Sequence, residues 1–245
     1  MDRNFLPLYD ALFAGVDSDA VIRRTLFGRR WAMTETPDSL GLAMATPGET
    51  VPPLFADGLD ALSLRRASEA VMSWNLREAS LGLAAANAFY NTPARIEALG
   101  AAVSPDVYST VGIDLHGLTV GIIGHMHGPE GLREQAKAVY IMERVPQPGD
   151  YPDAACDWLL PRCDLVLITG SSLINKTLPH LLSLCPQATT ILTGPSVPLC
   201  PALLDFGLDR IAGMAVTDRG AMAAHVRENR RGSPYPYGQS FLLMK

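Results

Sequence analysis

Apolar positions in the first hundred residues recur at helical or alternating spacing. Phe5, Leu8, Leu12 and Phe13 fall on one helix face and predict a short opening helix. Short strands are predicted at 20–25, 29–34 and 40–45, parted by the turn formers Phe27-Gly28 and Thr36-Pro37-Asp38, as a small antiparallel meander. Residues 46–58 hold Pro, Gly and acids and read as loop. Residues 59–73 read as a helix. Asn75 stands three residues before Glu78, in the register of a capping box. The segment that follows, LREASLGLAAANAFY, is apolar nearly all round, which predicts a buried helix. Asn91-Thr92-Pro93 ends it and caps another turn at 94–99. From Gly100 to His116 no period survives, and the boundary between two domains, 1–104 and 105–245, is expected there.

From Leu118 the pattern changes to continuous apolar runs. Strands are predicted at 118–123, 138–142, 165–168, 190–192 and 210–212. Helices are predicted near 131–137, 153–160, 174–184, 201–206 and 218–229. Apolar strands alternating with helices predict a parallel sheet covered on both faces, hence an α/β fold. Its crossovers should be right-handed, and its ligands should sit beyond the carboxyl ends of the strands. The tail, 232–245, is rich in Pro, Tyr and Gly. It is expected to pack across the surface or against a partner subunit, which leaves a homodimer open.

Composition removes several function classes. Net charge is −5, and basic residues cluster only as pairs: Arg23-Arg24, Arg29-Arg30, Arg65-Arg66 and Arg230-Arg231. A nucleic-acid partner is therefore not expected. No apolar run reaches the ~18 residues of a membrane span. The opening MDRNFLPLYD lacks the apolar core of a signal peptide. A soluble, cytoplasmic protein is expected. Cys156, Cys163, Cys185 and Cys200 match no metal spacing and read as small buried apolar side chains in a reducing compartment.

Candidate chemistry gathers at three turns that follow predicted strands. The first runs Gly121-Ile122-Ile123-Gly124-His125-Met126-His127-Gly128. It is not the dinucleotide pattern G-x-G-x-x-G. Glu143 lies 19 residues after Gly124, where a ribose-binding carboxylate would stand, and reads equally as a solvated strand-end acid. His125 and His127 are two apart, so an extended backbone would put both rings on one side, able to share a metal or an anion. Two histidines without a third ligand do not close a metal site.

The second turn, Thr169-Gly170-Ser171-Ser172, leads to Asn175 and Lys176 without the order of a phosphate-binding P-loop. Its amides suit phosphate or carboxylate, helped by the positive end of a following helix. Asn175 is a cap or a ligand contact, and Lys176 a point charge or an exposed helix lysine. The third turn, Thr193-Gly194-Pro195-Ser196, opens a proline-stiffened loop fit for a preformed pocket wall or a structural turn.

The segments LITGSSLINKTLPHLL and ILTGPSVPLCPALLDFGLDRIAG resemble the C-terminal pattern of the DUF364 family, named for heavy-metal chelation. NLREASLGLAAANAFYN and the hairpin Arg29–Ala45 resemble its N-terminal companion, DUF4213. The resemblance implies a small α+β domain like the enolase N-terminal fold, followed by a Rossmann-like parallel-sheet domain. It carries over Asn87, Asn91, Gly124, His125, Glu143, Thr169, Gly170, Ser171, Asn175, Gly194, Pro195 and Ser196 as site positions. His127 departs from the apolar or aromatic residue expected near there.

Two functions follow. One is binding or handling a small anionic molecule, a divalent metal ion or a metal chelate, in a cleft at the strand ends between the domains. Amides at 170–172 and 194–196 would hold the anion, and His125, His127 or Glu143 would meet the metal or polar head. The alternative is a Rossmann-like enzyme using a nucleotide or S-adenosyl cofactor, with Glu143 on the ribose. The first is preferred because no catalytic set stands out.

Overall fold

The computed structural model describes residues 6–104, 106–126 and 128–245. Helix α1 (Leu6–Ala14) buries Tyr9 and Leu12 completely. Strands β1 (Arg24–Phe27), β2 (Trp31–Glu35) and β3 (Leu40–Met44) form an antiparallel sheet in that order. The first strand begins later than the sequence predicts, because Ile22 bonds sideways: its N–H donates to Leu62 O at 2.8 Å and its carbonyl accepts from Ala61 N at 3.1 Å. The helix predicted over 59–73 is shorter, α2 (Leu64–Ser68) running into a 3₁₀ turn, Glu69–Met72.

Helix α3 (Leu76–Tyr90) is the central rod of this half. Asn75 caps it, Oδ1 accepting the Glu78 N–H at 3.1 Å. The Glu78 carboxylate does not return to Asn75 as a full capping box would. It accepts instead from the N–H groups of Leu54 and Phe55, each at 2.7 Å, and ties down the loop before it. Strand β3 lies directly on the helix. A Cβ at Gly41 would stand 2.0 Å from Ala84 O, so only glycine allows the contact. Helix α4 (Pro93–Ala98) follows after Asn91 and Thr92.

The second sheet has eight strands: β4 (Ala102–Val103), β5 (Thr119–Ile123), β6 (Ala138–Glu143), β7 (Tyr151–Pro152), β8 (Leu165–Thr169), β9 (Thr189–Thr193), β10 (Arg210–Val216) and β11 (Gly238–Met244). Their order is β4-β11-β10-β9-β8-β5-β6-β7. All neighbours from β10 to β7 are parallel, while β11 runs antiparallel to β10 and to β4. Helices α5 (Leu132–Gln135), α6 (Cys156–Leu159), α7 (Ser171–Ile174), α8 (Leu178–Ser183) and α9 (Arg219–Arg227) complete it. The chain is thus α/β, a small antiparallel sheet joined to a larger, mostly parallel one. Continuous apolar strands bury themselves as their pattern demands: Val166, Leu167, Ile168, Ile191 and Leu192 have no exposed surface.

Three further expectations are corrected. The tail does not lie across a surface but becomes β11, in register with β10 over seven residue pairs. The single helix predicted over 174–184 is two, parted where Lys176 takes φ +64°, a conformation no α-helix continues through. Residues 201–206 form a 3₁₀ rather than an α-helix. The four cysteines are free and buried, and burial pushes the Cys156 and Cys163 thiols up to about 11 and Cys185 to about 12. Among the described residues no helix is long and apolar enough to cross a membrane.

A few buried or part-buried bonds join the elements around the small sheet to those around the large one. The Tyr9 hydroxyl donates to Leu173 O at 3.0 Å, and the Met44 N–H donates to Ser196 Oγ at 2.8 Å. Asn91 does most. Its Nδ2 donates to Val197 O at 2.9 Å and Met214 O at 3.1 Å, while its Oδ1 accepts from Leu199 N at 2.8 Å. Asn91→Ala leaves these three backbone groups without partners. We expect a loss of about 3 kcal/mol and a Tm lower by about 6–12 °C for a chain of this size; a Tm within a degree of wild type in a thermal melt would contradict the bonding.

Candidate functional site

The strand order creates a crevice. From β5 the chain crosses to β6 on one side, and it later enters β8 on the other side of β5. The connections leaving β5 and β8 therefore diverge at their carboxyl ends, where open parallel sheets bind ligands. Gly124, with φ +97°, turns the backbone so tightly there that a Cβ would meet Thr169 Cγ2 at 3.0 Å. A cleft of about 630 Å³ opens above these ends. Its floor carries Gly124, His125 and Glu143 after β5 and β6, Thr169, Gly170 and Ser171 after β8, and Gly194, Pro195 and Ser196 after β9. Arg30, Trp31 and Met44 of the small sheet and Tyr235 of the segment before β11 face them. A second lobe of about 370 Å³ shares Gly124, Glu143, Thr169 and Ser171 and extends past Ser172 and Asn175 to Asp157 and His180.

The amide supply is smaller than the sequence suggests. The Gly170 N–H donates to Thr193 O and the Gly194 N–H to Ala212 O, each at 3.1 Å. Pro195 has no N–H. Ser171 N reaches only Thr169 Oγ1, at 3.4 Å. The Ser172 and Ser196 amides make no hydrogen bond among the described residues. Helix α7 has four residues, too short for a substantial dipole, and the third turn runs on to a 3₁₀ segment. The polar floor is thus mainly hydroxyls: Thr169 Oγ1 and Ser171 Oγ lie 3.2 Å apart, while Ser172 Oγ is spent on Thr169 O at 2.7 Å.

Glu143 shapes the first turn. Its Oε2 accepts from His125 N and its Oε1 from Arg144 N, both at 2.8 Å. His125 Nδ1 lies 2.8 Å from Asp150 Oδ2, a side chain only 3% exposed. The Gln147 N–H, aided by the His125 ring and the charge of Arg133, holds the Asp150 carboxyl below its usual range. A carboxylate behind an imidazole fixes the ring, the arrangement found behind metal-bound histidines. His127, the other expected metal ligand, lies outside the described residues. Among those described, no group of three His, Cys, Asp or Glu could hold a metal ion.

Asn87 and Asn91 line neither lobe of the cleft. Asn87 Nδ2 donates to Leu42 O at 2.7 Å, and with Asn91 it lies among buried backbone between α3, β3 and the 197–199 loop. Asn175 Oδ1 accepts the Thr177 N–H at 3.1 Å and its O–H at 2.7 Å, at the edge of the smaller lobe. Lys176 points away from the floor. Its ammonium donates to Ile174 O at 2.7 Å and to Ser73 O, and lies 5.5 Å from the Trp74 ring centre. Cys200 is 1% exposed, and burial raises its thiol pKa. Sequence reasoning did not single out Arg30, Trp31, Asp150 or Tyr235. The Arg30-Trp31 pair, a cation next to a large amphipathic ring at a strand start, was the one local signal.

Comparison with known proteins places this geometry among relatives. Residues 109–240 match the model of the DUF364 family, described as "Putative heavy-metal chelation", and residues 9–90 match DUF4213, described in the same words. A crystal structure of a DUF364 protein of unknown function from Desulfitobacterium hafniense DCB-2 is 34% identical, with a TM-score of 0.88 over 100% of this chain and 99% of that one. A second DUF364 structure, from Pyrococcus horikoshii, shares the fold at 24% identity and TM-score 0.79, over 97% of this chain and 100% of that one. An uncharacterized protein of Methanocaldococcus jannaschii is 30% identical over 153 residues, 60% of this chain; the match spans 58% of that relative's length.

Lys176 gives a pH test of this packing. Burial lowers its pKa to about 8, from 10.5. Between those values the unfolded chain binds the extra proton, so stability from this residue rises as pH climbs from about 8 toward 10.5. The difference in Tm between wild type and Lys176→Met should therefore move in favour of wild type over that range. A difference that stays constant with pH would contradict the buried placement.

Proposed function

The chain belongs to the DUF364 family, and on that premise we propose that it binds a small anionic organic molecule able to carry a divalent metal. The binding place is the cleft above β5, β6, β8 and β9, walled by the small sheet of the 1–104 unit and floored by the 105–245 unit. One observation carries the reading: turns 124–125, 169–171 and 194–196, far apart in sequence, line one cavity of about 630 Å³. The hydroxyls of Thr169 and Ser171 and the Arg30 guanidinium supply hydrogen-bond donors and positive charge for carboxylate or phosphate oxygens. His125, oriented by Asp150, is the side chain placed to meet the metal. The organic part supplies the remaining ligands, which agrees with the open donor set and with the family's label. The alternative, a nucleotide or S-adenosyl enzyme, gains less support, because both Glu143 oxygens already accept turn amides rather than standing ready for a ribose.

Calorimetric titration with citrate, alone and as its Ni²⁺ complex, tests the proposal. Saturable heat is expected, larger affinity being shown by the metal complex. Ser171→Leu, which fills the point where both lobes meet, should abolish it while the thermal melt stays cooperative. No heat from either probe, or heat that survives Ser171→Leu, would sink the reading.

A further inference from the structure

The turn between β1 and β2 presses against the end of α9. Gly28 permits this, since a Cβ there would stand 2.8 Å from Val226 O and 3.0 Å from Asn229 Oδ1. Asn229, at φ +50°, turns the chain out of the helix, and its side chain accepts the Arg29 N–H. Two arginine pairs distant in sequence thereby meet. Arg29, Arg30, Arg230 and Arg231 rim a pocket of about 500 Å³ whose inner wall is formed by His225 and Trp31.

The inner wall is unusual. His225 is 2% exposed and Trp31 5%, yet neither His225 ring nitrogen nor Trp31 Nε1 has a hydrogen-bond partner. Buried polar side chains are seldom left so. An indole N–H can only donate, so it requires an acceptor. The side-chain acceptor on the rim, Asn229 Oδ1, is taken by the Arg29 N–H. The rim is otherwise cationic: Arg230 pairs with Glu228 at 2.8 Å, while Arg29, Arg30 and Arg231 pair with no carboxylate among the described residues. The carbonyl end of α9 accounts for some positive charge nearby. It does not account for three orphaned ring nitrogens in one wall.

We propose that this pocket is a binding site for a phosphoryl-type oxyanion, gripped by the guanidinium groups of Arg29, Arg30, Arg230 and Arg231 and by the N–H groups of His225 and Trp31. Guanidinium forks match phosphate oxygens two at a time. Burial and the nearby charges of Arg230 and Arg30 keep the His225 pKa below its ordinary value. An anion seated among those charges offsets them and supplies the acceptor that the imidazole and the indole lack. The pocket adjoins the cleft at Arg30, Trp31 and Gly232. It shares Arg30 and Trp31 with the cleft, while Arg29, Arg230, Arg231 and His225 belong to this pocket.

Titration with inorganic phosphate and, separately, glycerol 3-phosphate tests this, by calorimetry and by NMR of the histidine ring signals. Saturable binding of at least one is expected. The tighter of the two identifies free ion or phosphate monoester as the ligand form. The double variant Arg29→Ala/Arg231→Ala, confined to this pocket, should weaken binding at least about ten-fold through loss of charge-assisted hydrogen bonds. Ser171→Leu, confined to the cleft, should leave the phosphate-induced shift of the His225 ring signals unchanged. The His225 ring signals should shift on binding. Absence of binding by both probes, undiminished affinity in the double variant, or unmoved His225 signals would each overturn the proposal.

Discussion

The side-chain amide of Asn91 stands at the end of α3, buried, with all three of its bonds made to backbone of the larger sheet's side of the molecule. Those bonds set where the 197–199 loop and β10 lie relative to α3. Because β3 rests on α3 through Gly41, they also set where the small sheet stands. Met44 N can then reach Ser196 Oγ, and Arg30 and Trp31 face the strand ends. In a low-dielectric interior a fully satisfied network of this kind fixes one arrangement, whereas a half-satisfied one is costly. The wall opposite the strand-end turns thus depends on one amide that lines neither lobe of the cleft.

The larger sheet supplies the other half of the cleft by topology alone. Divergence of the chain after β5 and β8 opens the crevice, and short turns after four parallel strands deliver their polar groups to it. What arrives is hydroxyl-rich and carries few acids that are not already bonded. Glu143 and Asp150 spend their oxygens on neighbouring amides and on His125. Such a surface complements an anion better than a naked cation.

Local patterns in the sequence foretold much of this. The buried helix after Asn75, the apolar strands β5, β8 and β9, and the small meander were legible because each is set by short-range periodicity and by cap or turn residues. Strand β11 was hidden by a tail whose Pro, Tyr and Gly content imitates loop; pairing with β10, not local propensity, makes it a strand. The break at Lys176 was hidden as well, since its side chain reaches a carbonyl far off in sequence, Ser73 O, that no local pattern points to. At the site, the three turns could be read from strand ends, but their approach to Arg30 and Trp31 is purely tertiary. Asn87 and Asn91 show a subtler difficulty. An amide that could grip a ligand grips a buried carbonyl equally well, and only packing decides which.

Convergence of the three turns on one guest is the claim that all else serves, and backbone NMR addresses it directly. The ¹⁵N-labelled chain would be titrated with nickel citrate while the amide signals of Gly124, Ser171 and Ser196 are followed. The account predicts that all three move along a single saturation curve. Signals that move at one turn only, or at separate midpoints, would contradict it.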